Sequence, residues 1–130
     1  MSWVEIFAAF VVSHLVGDYL LQTDWQARHK RGGLTGDAVR RRALISHVFV
    51  YTLSFAPALI WLADDLGAGV VWVAALIFIP HLIQDDGRGV TWFVYNVKGC
   101  DDQTAAEIFT PVDQSLHVLT LFGIALVAAA

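Results

Sequence analysis

The sequence is short of charge and nearly without cysteine. One cysteine, Cys100, in 130 residues leaves no internal disulfide and no thiolate cluster for an iron–sulfur centre or a copper(I) site. Charged residues make up 15% of the chain and hydrophobic ones 57%, against roughly 25% and 45–50% in soluble domains. That balance excludes intrinsic disorder, because this much apolar side chain must be buried against something. It also argues against a freely soluble enzyme. The few basic residues form no face interleaved with aromatics, so nucleic acid is not an expected partner. No internal repeat appears, and the length suits a single domain over 1–130.

What is present is a set of four apolar stretches, at approximately 3–22, 43–63, 67–86 and 109–130. Each is close to the roughly 20 residues a helix needs to cross the hydrocarbon of a bilayer. The expected fold is therefore all-α, an integral-membrane four-helix bundle. The first stretch lacks the basic leader of a cleaved signal peptide and contains His14 and Asp18, so it reads as a retained helix. Six of the eight basic residues, Arg28, Lys30, Arg31, Arg40, Arg41 and Arg42, lie between the first two stretches, and Arg88 and Lys98 lie between the last two. The positive-inside rule then places both longer loops in the cytoplasm and both termini outside, in a multi-pass inner (cytoplasmic) membrane protein. Thr110-Pro111 reads as the N-cap and first turn of the last helix. Pro57 and Pro80 read as kinks inside the second and third helices.

The informative residues are those that hydrocarbon should reject: His14, Asp18, His47, His81, Asp85, Asp113 and His117. An Asp at a span centre costs about 2.5–3.5 kcal/mol on insertion scales, so such groups face a bundle interior and find partners. His14/Asp18, His81/Asp85 and Asp113/His117 are each four residues apart, which puts each pair on one helical face. Counted at about 1.5 Å per residue, every helix carries a histidine at a similar depth on the cytoplasmic side. Convergent imidazoles and carboxylates in a bundle suit a divalent transition metal, zinc first, with iron or manganese as alternatives.

All seven residues are candidate ligands, with Gln22, Tyr51 and Gln114 flanking them. Asp85 or Asp113 is the candidate catalytic group, as a further ligand or a general base. Arg28, Lys30, Arg40, Arg41, Arg42 and Arg88 are candidates for holding a lipid headgroup or phosphate. Singly, most of these have a plainer reading. Asp113 can cap the last helix, Asp85 and Asp86 can lie solvated at the membrane surface, and the Arg40–Arg42 run can serve topology alone.

The run His14-Leu-Val-Gly-Asp18-Tyr-Leu-Leu-Gln22-Thr-Asp-Trp25, then His47, His81-Leu-Ile-Gln-Asp85 and Phe109-Thr-Pro-Val-Asp113-Gln114-Ser-Leu-His117 resemble a bacterial and phage membrane-protein family, domain of unknown function 3307. The resemblance spans nearly the whole chain and implies a polytopic protein with a polar His/Asp core, without an activity. In that family the third motif continues from the Asp into an aromatic and a lysine. Here it reads Asp85-Asp86-Gly87-Arg88, so the basic role falls to Arg88.

Two kinds of function fit these residues. One is a metal-dependent hydrolase acting on a lipid or phosphate ester at the cytoplasmic face, with membrane lipids as its surroundings. The other is a non-enzymatic protein that handles ions or protons, or a small accessory subunit, working as a homo-oligomer or within a larger membrane complex.

Overall fold

The computed structural model describes all 130 residues and is all-helical, without strands. Its helices are α1 (Trp3–Leu15), α2 (Asp24–His29), α3 (Ala38–Ser54), α4 (Ala56–Leu66), α5 (Val70–Asp85), α6 (Arg88–Trp92) and α7 (Asp102–Ala128). Side-chain caps fix most of the starts. Ser2 with Glu5, and Thr23 with Gln26, form capping boxes for α1 and α2. Asp37 accepts from the Arg40 N–H ahead of α3, and Asp101 from the Thr104 N–H ahead of α7, the latter holding the Asp101 carboxyl below the usual carboxylate range.

Two helices end in wider π-helical turns, Val16–Leu20 after α1 and Phe93–Val97 after α6. In the first, the Leu21 N–H reaches back five residues to the Val16 carbonyl, at 2.9 Å. Such turns recur at functional sites because they re-aim a side chain out of the α register. Here the re-aimed segment carries Asp18.

The bundle packs α1 on α7, α3 on α5 and α5 on α7. One half of its interior is apolar, built from Ile6 and Phe10 of α1, Phe55, Leu62 of α4, Ile77 of α5 and Leu121 of α7. The other half is polar, with His14, Asp18, His47, His81, Asp85 and His117 all buried. The outer surface reverses the usual pattern of a water-soluble domain: Val12, Leu53, Ile60, Trp72 and Ile79 are exposed.

Three stretches, Trp3–Leu20, Ala56–Asp85 and Asp102–Ala128, are long and apolar enough to cross a membrane, where four were expected. The expected span at 43–63 is divided at Phe55, where α3 stops and α4 begins. Pro57 is the cause: it sits in the first turn of α4, where its missing N–H is tolerated, rather than inside a helix. α3 is 17 residues long and starts among the arginines at 40–42, which lowers its apolarity. The expected span at 67–86 belongs to the single apolar stretch Ala56–Asp85. Gly67, at φ +53°, bends that stretch so that Leu59 of α4 and Ala74 of α5 line one groove.

The last helix also departs from expectation, starting at Asp102 instead of Thr110. The Asp101 cap initiates it, and Pro111 is carried inside the helix. Pro80 is inside α5, immediately before His81, as expected.

The π-turn after α1 approaches α3 closely at Gly17. A Cβ there would lie 2.7 Å from the Tyr51 ring, 2.8 Å from Ser54 Oγ and 3.2 Å from the Tyr51 Cα. Because one of those atoms is backbone, the helices would have to separate, and Gly17→Ala is expected to cost about 1–3 kcal/mol. Thermal unfolding in detergent checks this; an unchanged midpoint would contradict the close contact.

Candidate metal centre

Three helical segments bring four donor atoms to a common point. These are Asp18 from the π-turn after α1, His47 from α3, and His81 and Asp85 one turn apart on α5, all four buried. His47 Nε2 lies 3.2 Å from Asp18 Oδ1 and 2.7 Å from Asp85 Oδ2. His81 Nε2 lies 3.5 Å from Asp18 Oδ1 and 3.2 Å from Asp85 Oδ2. The two imidazole Nε2 atoms are 3.2 Å apart. Ligand atoms bonded at about 2.0–2.1 Å to a tetrahedral ion stand about 3.3–3.4 Å from one another, and apart from the shorter His47–Asp85 contact these separations, at 3.2–3.5 Å, are close to that spacing.

An orphaned atom agrees with that geometry. Asp18 Oδ1 is buried without a well-formed hydrogen bond, although the His47 and His81 imidazole nitrogens stand within 3.5 Å of it. Short distances with poor angles are what atoms aimed at a shared centre give, and unsatisfied buried groups of this kind call for a partner.

The groups around the cage are held in turn. Gln114 Nε2 donates to Asp18 Oδ2 at 3.2 Å, so its Oε1 must be the atom that meets His14 Nε2, at 2.8 Å. His14 Nε2 therefore carries a hydrogen, and its Nδ1 accepts from the Tyr51 hydroxyl at 3.0 Å. With both nitrogens engaged by side chains, His14 stands beside the cage rather than in it. The Tyr51 ring also lies flat on His81, centroids 3.4 Å apart, fixing the plane of that imidazole. His117 Nδ1 donates to the Asp113 carbonyl at 2.7 Å, leaving its Nε2 pointed at Asp85 Oδ1, 3.2 Å away.

Lys30 closes the site from the loop side. Its Nζ donates to Asp85 Oδ2 at 2.7 Å and to Gln22 Oε1 at 2.6 Å. The following turn is strapped to the end of α5, because Asp86 accepts from the Gly32 N–H through its carbonyl and from the Leu34 N–H through its carboxylate. Arg88 pairs with Asp86 and donates to Thr35. Asp86 is thus a buried anchor and not a solvated surface group, and Asp85 is buried with it.

Of the basic residues expected at a lipid or phosphate, only Lys30 reaches the centre. Arg28 pairs with Asp24 and Arg40 with Asp37 at the surface, Arg41 donates to the Gly36 carbonyl, Arg42 is exposed, and Arg88 is taken up by the strap. Arg31, which sequence reasoning did not single out, lies 3.6 Å above the Phe109 ring beside the site. A polar pocket of about 220 Å³ opens on the cluster, with Asp18, Asp85 and Asp113 among its walls together with Lys30 and Arg31. Asp113 is far from any helix start, so the capping role suggested for it belongs to Asp101.

The family model described as "Protein of unknown function (DUF3307)" matches residues 6–130. Searches of curated proteins and of solved structures find no match to the chain.

The Tyr51 hydroxyl and the Tyr51 ring have separable roles. Tyr51→Phe keeps the ring on His81 but leaves the buried His14 Nδ1 without its donor, a loss expected to cost about 1–3 kcal/mol. Equilibrium unfolding in detergent measures it; wild-type stability would show that this hydrogen bond is not formed.

Proposed function

We propose that this chain, which belongs to the DUF3307 family over residues 6–130, is a membrane-embedded metal-binding protein that hydrolyses a phosphate or lipid ester. The observation that carries the reading is the set of four buried donor atoms, two imidazole nitrogens and two carboxylate oxygens, all within 4.8 Å of one another. Nitrogen and oxygen donors without sulfur suit zinc, with iron or manganese as alternatives. Cys100, the one thiol, is in the loop before α7.

Membrane embedding rests on the three apolar stretches and on the reversed surface, greasy outside and polar within. In a bilayer, α3 and α4 together would supply a fourth crossing, bent at Phe55. The basic loop before α3 and the loop before α7 would then face the cytoplasm under the positive-inside rule. The mouth of the pocket, lined by Lys30, Arg31 and Thr110, lies at that end of the bundle.

Hydrolysis is favoured over passive binding because the cluster is not sealed. A bound divalent ion that took a pocket water as a fifth ligand would supply Lewis acidity and lower the pKa of that water. Asp113, in the pocket wall with Oδ2 held by the Gln114 amide at 3.3 Å, would serve as a further ligand or as a general base. Lys30 and Arg31 offer the positive charge that a phosphoryl group needs. His14, Tyr51, Gln22 and Gln114 orient the groups around the centre, as outer partners of metal ligands do elsewhere.

Elemental mass spectrometry of the full chain purified in detergent and loaded with zinc should find at least one equivalent. A His47→Ala/His81→Ala double variant should lose it by more than tenfold. The loaded wild type should cleave members of a phosphate-ester and lipid-ester panel, and the double variant none. No metal after loading would overturn the reading, and metal without hydrolysis would overturn its enzymatic half.

A further inference from the structure

The cage around His47 and His81 does not use up the donors of the polar core. Asp85 has two oxygens, and they face different groups. Oδ2 is within 3.2 Å of both His47 and His81, whereas Oδ1 faces His117 Nε2 at 3.2 Å. Asp85 Oδ1 and His117 Nε2 are both buried without a hydrogen bond, and their side chains are each 1% exposed. The His117 Nδ1 hydrogen is committed to the Asp113 carbonyl, so in the neutral ring Nε2 presents a lone pair. Two buried lone pairs at this distance repel each other unless a cation lies between them.

We propose that the protein holds a second divalent cation, bound by Asp85 Oδ1, His117 Nε2 and the Asp113 carboxylate, with Asp85 bridging the two ions. The inference rests on the metal reading of the first centre. One donor atom from each of Asp85, Asp113 and His117 lies within 4.8 Å of the others. A bridging carboxylate is the usual link in paired centres, whose ions stand about 3.5–4 Å apart.

The two positions differ in what they can do. The first is enclosed by four protein donors, which is the character of a structural or anchoring ion. The second has three, and two of them, Asp85 and Asp113, line the polar pocket. Open coordination sites there would face the 220 Å³ space beside Lys30 and Arg31, where a water and an oxyanion could both reach the ion. Charge points the same way. One dication with Lys30 balances the carboxylates of Asp18, Asp85 and Asp113, so a second leaves the pocket positive and complementary to an anionic phosphoryl or carboxyl group.

The test is a manganese titration of the full chain in detergent, read by elemental analysis and by electron paramagnetic resonance. Wild type should bind two equivalents and show the spectrum of an exchange-coupled pair. His117→Ala should bind one equivalent and show isolated manganese. One equivalent in wild type, unchanged in His117→Ala, would overturn the second site while leaving the first, and would mean that a protonated His117 donates to Asp85. Two equivalents without coupling would also overturn it, since the ions would not share Asp85. No manganese at all would overturn the first centre as well. Should His117→Ala fail to fold, the wild-type stoichiometry and coupling decide alone.

Discussion

A carboxylate with 1% side-chain exposure inside an apolar bundle is the constraint that the rest of the structure answers. Asp85 draws partners from four places: Lys30 from the loop after α2, His47 from α3, His81 from its own helix and His117 from α7. A charge so buried must be paired, and removing one partner leaves an uncompensated ion. The arrangement of α3, α5 and α7 around that carboxylate is thus electrostatic as much as steric. The loop from Lys30 to Thr35 follows from the same demand. To bring Lys30 onto Asp85, the chain must fold back over the end of α5, and Asp86 and Arg88 hold it there.

The division of the interior into an apolar and a polar half separates stability from chemistry. Phe10, Phe55, Leu62 and Leu121 pack the half in which α1 begins and α7 ends. That packing fixes the helices against each other without asking anything of the His/Asp groups. Those groups are then free to be set by their own polar contacts, with Tyr51 joining the two halves by stacking on His81 and touching Phe55. Rigid helices with a set of outer hydrogen-bond partners are what a preorganised centre requires.

Much of this was legible in the residues. Three i, i+4 pairs and a histidine in each apolar stretch point to one polar core, and the structure brings these side chains within contact of one another. What local pattern could not supply was the division of labour. His14 and His117 look alike in sequence, yet Gln114 and Tyr51 occupy both nitrogens of the first while the second keeps one free. Lys30 sits in a basic loop where every cation reads as solvated, and only the back-folding of that loop distinguishes it from Arg28. Thr110-Pro111 and Asp101 are equally good helix starts by residue type; the helix begins after Asp101 because a proline costs an interior helix one backbone bond, not its existence. The span count failed for a related reason, since Pro57 ends one helix and opens another within an uninterrupted apolar run. Gly17 was a signal present and overlooked, a glycine between His14 and Asp18 where the π-turn after α1 meets α3.

X-ray absorption at the zinc edge on the zinc-loaded protein tests the central claim most directly, because it reads the first shell of the ion itself. A cage of Asp18, His47, His81 and Asp85 predicts nitrogen and oxygen neighbours at about 2.0–2.1 Å with the outer-shell scattering of imidazole rings. A sulfur neighbour at about 2.3 Å, or a hydrated ion without imidazole scattering, would contradict it.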